Sequence, residues 1–196
     1  MTAPFGSVAQ ALWLALPVTL AGLTHVLAIA RDVLPSLAAI RLDGGLELRG
    51  RPLFGANKTL RGAIVMIAAT VVWTVVFDRL QRGLGLDDSI RFIARERLGS
   101  IGLGLVLGVA YILGELPNSF GKRQLDIAPG AAAGGGLRRL FWAVDQLDSA
   151  IAIVLVIGCF RAPPLGLVLT LLAVTLAVHP IVAALMVALG LKRRIG

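Results

Sequence analysis

The chain has 196 residues, of which 57% are hydrophobic and only 15% are charged, and its mean hydropathy is +0.87. Because about a quarter of the residues in soluble domains are charged, this composition excludes an ordinary soluble enzyme and indicates an integral membrane protein. The net charge of +8 lies mainly between the apolar runs, which favours anionic lipid headgroups over nucleic acid as the partner.

Five apolar runs follow one another along the chain, most of them close to the length that crosses the hydrocarbon core of a bilayer. Since hydrocarbon offers the backbone no hydrogen-bond partners, each run should form a helix. We therefore predict an all-α integral membrane protein, a single polytopic domain over residues 1–196 with about five transmembrane helices. The predicted spans are Val8–Ala30, Gly62–Phe77, Ser100–Leu116, Leu147–Phe160 and Leu165–Leu189.

Lysine and arginine are unevenly divided between the two sets of connecting segments. The first and third loops and the C-terminal tail carry thirteen of them, and the remaining loops carry six. An odd number of spans puts the termini on opposite sides, and the positive-inside rule then places the first and third loops in the cytoplasm. The sequence thus predicts a multi-pass protein of the cell membrane with its N-terminus outside and its C-terminus cytoplasmic. Its functional cytoplasmic loops are predicted at about residues 50–62 and 114–148.

The first of these loops ends in a short polar segment beside the second span. Asn57, Lys58 and Arg61 lie within one helical turn, and Gly55 and Gly62 at the two edges allow a ligand to approach the backbone closely. This pattern suits a polyphosphate, and a helix starting near Lys58 would add free N–H groups to the two cations. The alternative is that the two cations serve only as positive-inside anchors.

The third loop begins at Glu115, an acid at the end of a mainly apolar run. An unpaired carboxylate is costly there, so Glu115 should have a cation as partner. Pro117 and Gly121 predict a local break in the helix, which would turn the neighbouring polar groups toward a water-filled cavity. The phosphate-binding groups predicted in this segment are Asn118, Ser119, Lys122 and Arg123.

Asp145 and Asp148 stand three residues apart before the fourth span, so both lie on one face of a helix and can share a divalent cation. A helix cap facing water would use only one of them. With Glu115, and with Asp126 as a further candidate, they predict Mg²⁺ ligands beside the phosphate-binding cations. This inventory describes a membrane enzyme that uses a nucleotide, without choosing the nucleotide.

Three ordered motifs resemble a known family. Residues 54–62 read Phe-Gly-Ala-Asn-Lys-Thr-Leu-Arg-Gly, similar to the Gly-x-Asn-Lys-Thr-x-Arg-Gly element of CDP-archaeol synthases, which are related to phosphatidate cytidylyltransferases. Residues 119–123 resemble the Ser-Phe-x-Lys-Arg element of that family, and Pro129-Gly130 and Asp145-Gln-Leu-Asp148 follow at similar spacing. The resemblance implies an enzyme that uses CTP and Mg²⁺ to convert a lipid phosphate into a CDP-lipid with release of pyrophosphate.

The resemblance also implies roles for individual residues. Lys122, Arg123, Asp145 and Asp148 would be catalytic, with the two aspartates holding the metal. The nucleotide phosphates would be bound by Asn57, Lys58, Thr59, Arg61 and Ser119. Glu115 departs from the family pattern, which has an aspartate there, although its longer carboxylate could still reach a metal ion.

Two alternatives differ in class from a cytidylyltransferase. In a small polytopic transporter or channel component, Glu115, His25 and His179 would line a pathway across the membrane, although each histidine also fits a polar contact between helices. A CDP-alcohol phosphotransferase would need a longer, multi-aspartate signature that this chain lacks. The clustering of polar residues at one membrane face favours the cytidylyltransferase. The sequence leaves open which lipid phosphate is used, diacyl, isoprenoid or di-geranylgeranyl, and the oligomeric state.

Overall fold

The computed structural model describes residues 4–188, which form six α-helices and one small hairpin. Five of the helices are long and apolar enough to cross a membrane, so the protein is an all-α, multi-pass membrane protein, as the sequence predicts. The part of the fifth predicted span at Leu189 and the basic tail at Lys192–Arg194 lie outside the described residues. In chain order the elements are α1 (Pro4–Ala30), α2 (Pro35–Ala38), β1 (Glu47–Leu48), β2 (Arg51–Pro52), α3 (Leu60–Gly83), a 3₁₀ turn (Asp88–Arg91), α4 (Ser100–Gln124), α5 (Leu137–Gly158) and α6 (Leu165–Ala188).

Two helices continue into the segment 114–148 that was predicted as a functional loop. The predicted break at Pro117 and Gly121 is wrong, because α4 runs through both residues to Gln124. A proline removes only one N–H donor, and α4 is packed between α3 and α5 along its length. The fourth span begins at Leu137, ten residues before its predicted start. Only residues 125–136 between α4 and α5 are non-helical.

Close helix packing depends on glycines in α4. A Cβ atom added to Gly104 would lie 2.6 Å from the Cα of Val71, and one added to Gly108 would lie 2.9 Å from the Cα of Ile67. Both distances are shorter than van der Waals contact, so α3 and α4 approach each other backbone to backbone. On the other side of the bundle, α1 packs against α3 and α6. The arrangement leaves a space between α1, α4, α5 and α6.

Candidate active site

A cavity of about 830 Å³ lies within this space. The connecting segments at residues 57–58 and 129–131 line its polar end, together with the adjoining turns of α4 and α5. Its other wall is mainly apolar and comes from α1 and α6, including Val18, Gly22, Val178 and Val182. A ligand in this cavity would therefore meet charged groups at one end and hydrocarbon-like surface along the other.

Asp145 and Asp148 face α4 and share one hydrogen-bond donor. The Nδ2 of Asn118 donates to Oδ1 of Asp145 at 2.7 Å and to Oδ2 of Asp148 at 2.8 Å. Oδ1 of Asp148 accepts from the backbone N–H of Ser149 at 2.6 Å. Asn118, predicted to bind phosphate, thus holds the two carboxylates together. Both aspartates are part of α5 and do not cap it, because α5 begins at Leu137.

Two lysine–carboxylate pairs border the same cavity. The ammonium of Lys122 donates to both carboxylate oxygens of Asp145, at 2.6 Å to Oδ2. The ammonium of Lys58 donates to Oε2 of Glu115, so Glu115 has the cation that its position requires. All four side chains are partly exposed to the cavity, between 14% and 30% of their surface. A substrate phosphate can compete for either ammonium there.

Arg123 is buried beside Gly55, the glycine that opens the first motif. Arg123 is 6% exposed, and its Nε and Nη1 atoms have no hydrogen-bond partner. Gly55 has φ +94°, which glycine adopts without strain, and a Cβ there would lie 3.2 Å from Nη1 of Arg123 and from Cγ of Pro129. The first motif, Arg123 and the Pro129-Gly130 segment therefore meet, and a buried guanidinium with free donors suits an anion.

The carboxylate of Asp43 fixes the loop that carries the first motif. Asp43 is 3% exposed and accepts hydrogen bonds from the backbone N–H of Gly45 at 3.0 Å and of Phe54 and Gly55, both at 3.1 Å. Arg41 pairs with it as well. Burial alone would raise the pKa of Asp43, but these hydrogen bonds outweigh it and lower the pKa to about 2. The ionised carboxylate thus holds Gly55 against Arg123.

The remaining first-loop residues have different environments. Asn57 lines the cavity, whereas Thr59 caps α3 by accepting from the N–H of Gly62 at 3.3 Å. The helix begins at Leu60, two residues after Lys58, and the N–H of Leu60 donates to the carbonyl of Ile40 at 2.8 Å, so the expected open helix end is partly occupied. Arg61 pairs with Asp32 at 2.8 Å and is not among the residues lining the cavity.

Several cavity residues were not predicted as site residues. Gln146 is 7% exposed with an Oε1 that lacks a hydrogen-bond partner, and Tyr111 lies in the wall near Glu115. His25 and His179 also line the cavity, which their interpretation as simple helix contacts did not anticipate. Ser119 lines the cavity as predicted. Asp126, a further metal candidate, instead pairs with Arg51 on β2.

The acids that line the cavity are Glu115, Asp145 and Asp148. Among the described residues, no three His, Cys, Asp or Glu side chains are arranged to hold a metal by themselves. However, Mg²⁺ is usually held by one or two carboxylates together with substrate phosphates. The paired oxygens of Asp145 and Asp148, with the buried and unpartnered Oδ1 atom of Asn118 beside them, fit that arrangement.

The balance of charged side chains in the cavity also favours a bound divalent cation. Its lining includes three cationic and three acidic side chains, so the wall is close to neutral and phosphate-bearing substrates would add negative charge without compensation. A divalent cation held by the aspartates would supply the compensation. The six side chains are Lys58, Lys122, Arg123, Glu115, Asp145 and Asp148.

Comparisons with known proteins agree with the motifs. A family model described as CarS-like CDP-archaeol synthase matches residues 8–194. The CDP-archaeol synthase of Pyrobaculum aerophilum is 28% identical over 130 residues, which cover 66% of this chain and 65% of that protein. The aligned region therefore spans less than two thirds of that relative. A solved structure, described as an intramembrane enzyme for archaeal membrane lipid biosynthesis, is 23% identical with a TM-score of 0.57, covering 86% of this chain and 89% of the other. At this identity the likeness shows a shared fold.

Proposed function

Because this chain belongs to the CDP-archaeol synthase family, we propose that it transfers the cytidylyl group of CTP to a lipid phosphate and releases pyrophosphate. The observation that carries the proposal is the pair of carboxylates, Asp145 and Asp148, held together by Asn118 in the wall of a cavity that Arg123 also lines, with its Nε and Nη1 lacking hydrogen-bond partners. This combination provides a place for a cation beside a place for phosphate, in a cavity whose other wall is apolar.

The reaction needs no nucleophile from the protein. An oxygen of the ionised lipid phosphate attacks the α-phosphorus of CTP and forms the new P–O bond, while the bond from the α-phosphorus to the bridging oxygen of the β-phosphate breaks. Pyrophosphate leaves with that electron pair. Phosphoryl-type transfers of this kind depend mainly on alignment and charge neutralisation, which the donors Lys58, Lys122 and Arg123 would provide by binding phosphate oxygens.

We propose that Asp145 and Asp148 hold Mg²⁺, with Glu115 as a further ligand if Lys58 moves to a phosphate. The ion would supply charge neutralisation on the nucleotide phosphates. Lys122 pairs with Asp145, and a cation bound to that carboxylate would leave the ammonium of Lys122 free to bind phosphate. The pairs Lys58–Glu115 and Lys122–Asp145 thus keep both lysines at the site before substrates bind.

The test is a pyrophosphate assay with purified full-length protein, CTP and Mg²⁺. Release should require a lipid phosphate and should stop in EDTA. A panel of diacyl, isoprenoid and di-geranylgeranyl glycerol phosphates would identify the acceptor. Release that continues in EDTA would overturn the metal proposal, and no release with any acceptor, together with solute flux in vesicles, would support a transporter instead.

We further propose that the cavity end bearing the first motif faces the cytoplasm, with the N-terminus outside. The distribution of lysine and arginine supports this orientation. In a background with Cys159 replaced by alanine, a cysteine at Gly134 should react with an impermeant reagent only from the cytoplasmic side, and one at Ser89 only from outside. Reaction of both from the same side would contradict the orientation.

A further inference from the structure

The contact between α4 and α5 is closest at Gly114. A Cβ added there would lie 2.7 Å from the Cβ of Ala152, 2.8 Å from the carbonyl oxygen of Asp148 and 2.9 Å from the Cα of Ser149. Two of these three atoms belong to the backbone of α5, which cannot rotate away as a side chain can. Any larger residue at position 114 therefore moves the two helices apart at the level of Asp148.

This contact lies one helical turn from the group that joins the aspartates. Asn118 follows Gly114 by four residues on the same face of α4, and its short side chain reaches Asp145 at 2.7 Å and Asp148 at 2.8 Å. A methyl group at position 114 requires a separation of more than half an ångström to restore ordinary contact distances. Hydrogen bonds from N–H to oxygen span about 2.7–3.2 Å, so a separation of that size lengthens the link to one or both carboxylates to the limit of this range or beyond it.

We infer that Gly114 is a positioning residue, whose missing side chain lets α5 approach α4 closely enough for Asn118 to hold Asp145 and Asp148 as one cation site. The inference rests on the proposed metal site. It goes beyond that site by making the helix contact, and not the two aspartates alone, responsible for metal affinity. The usual effect of removing a group that orients metal ligands is a loss of about 10- to 100-fold in affinity.

The chain provides matched control glycines in the same helix. At Gly104 a Cβ also meets backbone, 2.6 Å from the Cα of Val71, but on the α3 side of the bundle. At Gly102 it meets only the end of the Leu98 side chain, at 3.3 Å. Gly104→Ala therefore reproduces the clash away from the aspartates, and Gly102→Ala reproduces the gain in helix propensity without a backbone clash.

The experiment measures Mn²⁺ binding by detergent-purified full-length protein, from the loss of the free-ion electron paramagnetic resonance signal relative to protein-free samples, first without nucleotide and then with a non-hydrolysable CTP analogue. Gly114→Ala should weaken binding at least tenfold. Gly104→Ala should lower the unfolding temperature and leave the Mn²⁺ affinity of the folded protein within twofold of wild type, as should Gly102→Ala. In turnover assays, Gly114→Ala should raise the Mg²⁺ concentration needed for half-maximal rate.

If Gly114→Ala does not yield folded protein, a double variant that also carries Ala152→Gly is used. Ala152→Gly removes one of the three clashes, and the single variant Ala152→Gly is the reference for the double variant. Weaker Mn²⁺ binding by the double variant supports the inference. Equal Mn²⁺ affinity in wild type and Gly114→Ala, or in the double variant and its reference, overturns it. Failure of wild-type protein to bind Mn²⁺ both without and with the CTP analogue, in a way that Asp148→Asn abolishes, would instead reject the metal site itself and with it the role of Gly114.

Discussion

Charged side chains are buried at both ends of the helix bundle, but in different surroundings. At the end remote from the cavity, Asp78 is 1% exposed and its carboxylate contacts Arg82 at 3.0 Å, Arg91 at 3.2 Å and Arg95 at 2.8 Å. Arg91 is fully buried and lies over the ring of Trp13. These groups fill the space between α1, α3 and the 3₁₀ turn.

At the other end, the charged groups border open space. Arg123 is nearly as buried as Arg91, and in both residues Nε and Nη1 lack a hydrogen-bond partner. Arg91, however, forms an ion pair with Asp78 and donates from Nη2 to the carbonyl of Leu98, whereas Arg123 forms no ion pair with a described residue and lines the cavity. Burial of charge therefore does not by itself identify a functional site. A charged group that is compensated by a neighbouring carboxylate stabilises the fold, and one that faces a cavity without such a partner is available to a ligand.

The largest effect should follow removal of Asp78. Asp78→Ala leaves Arg91 buried without its carboxylate, and breaking a buried ion pair in this way costs about 3–5 kcal/mol. Thermal unfolding in detergent should show a large drop in stability, while turnover per folded molecule stays near wild type. A drop in turnover per folded molecule with unchanged stability would show that the charged groups around Asp78 serve function and not the fold.

Removal of a carboxylate charge at the cavity end should lower turnover and not stability. Asp148→Asn keeps the size of the side chain and removes the charge that the proposed cation requires, so the proposed cytidylyltransfer should fall by about 100-fold or more. The unfolding temperature should change little, because no buried cation loses its partner. Pyrophosphate release, normalised to folded protein, checks this. Near-wild-type rates in both Asp148→Asn and Asp145→Asn would mean that these acids serve only the fold.

Lys122 provides a graded version of that test. A charge-assisted contact is worth about 1.5–3 kcal/mol, so Lys122→Ala should lower kcat/KM for CTP by roughly 10- to 150-fold. Lys122→Arg should recover only part of the lost kcat/KM, since a planar guanidinium does not replace a compact ammonium. Arg138→Ala, at an exposed position on α5, is the control for positive-inside anchoring. Equal normalised rates in all of these variants would remove Lys122 from the phosphate site.

The smallest effect concerns Asp43 and appears only in acid. Because its pKa is lowered to about 2, its contribution to stability is complete above its ordinary value near 4 and is lost as the pH falls from about 4 to 2, with an upper value of about 2 kcal/mol. Asp43→Asn should be less stable than wild type at pH 7, and the difference should shrink toward pH 2. A difference that does not depend on pH would contradict the role of the ionised carboxylate.

The sequence predicted the five spans because helices that face lipid consist of long apolar runs, and its three motifs contain five of the six charged side chains that line the cavity, all except Glu115. It did not predict helix ends, since apolar runs stop at charged residues such as Glu115 and Asp148, whereas the helical hydrogen bonds continue. The charged side chains of Glu115 and Asp148 face the cavity and not lipid, so the helices that carry them continue past these residues. Hydropathy reports the environment of side chains, and helix boundaries depend on the backbone.

Contacts between distant residues explain the other differences. Arg61 belongs to the first motif, yet its guanidinium donates a hydrogen bond to the carboxylate of Asp32, 29 residues earlier. Asn118 reaches two aspartates 27 and 30 residues away, and no local pattern shows whether an amide will bind phosphate or carboxylate. Gln146 stands out only once its burial and its unpartnered oxygen are known.

The pairing of Arg51 with Asp126 lies close in sequence to the two segments, residues 57–58 and 129–131, that line the polar end of the cavity. It joins the hairpin to the segment after α4, through Nε at 2.8 Å and a second contact at Nη2. Both side chains are exposed, 42% and 68%, and ion pairs of this kind contribute about 0–1 kcal/mol. Gln124 adds two hydrogen bonds to the hairpin: its carbonyl accepts from Nη1 of Arg51 at 2.9 Å, and its Nε2 donates to the carbonyl of Pro52 at 3.4 Å.

Salt screens an exposed ion pair much more than it weakens hydrogen bonds to backbone carbonyls. Raising the ionic strength should therefore loosen the contact between Arg51 and Asp126, while the hydrogen bonds with Gln124 keep the hairpin at the end of α4.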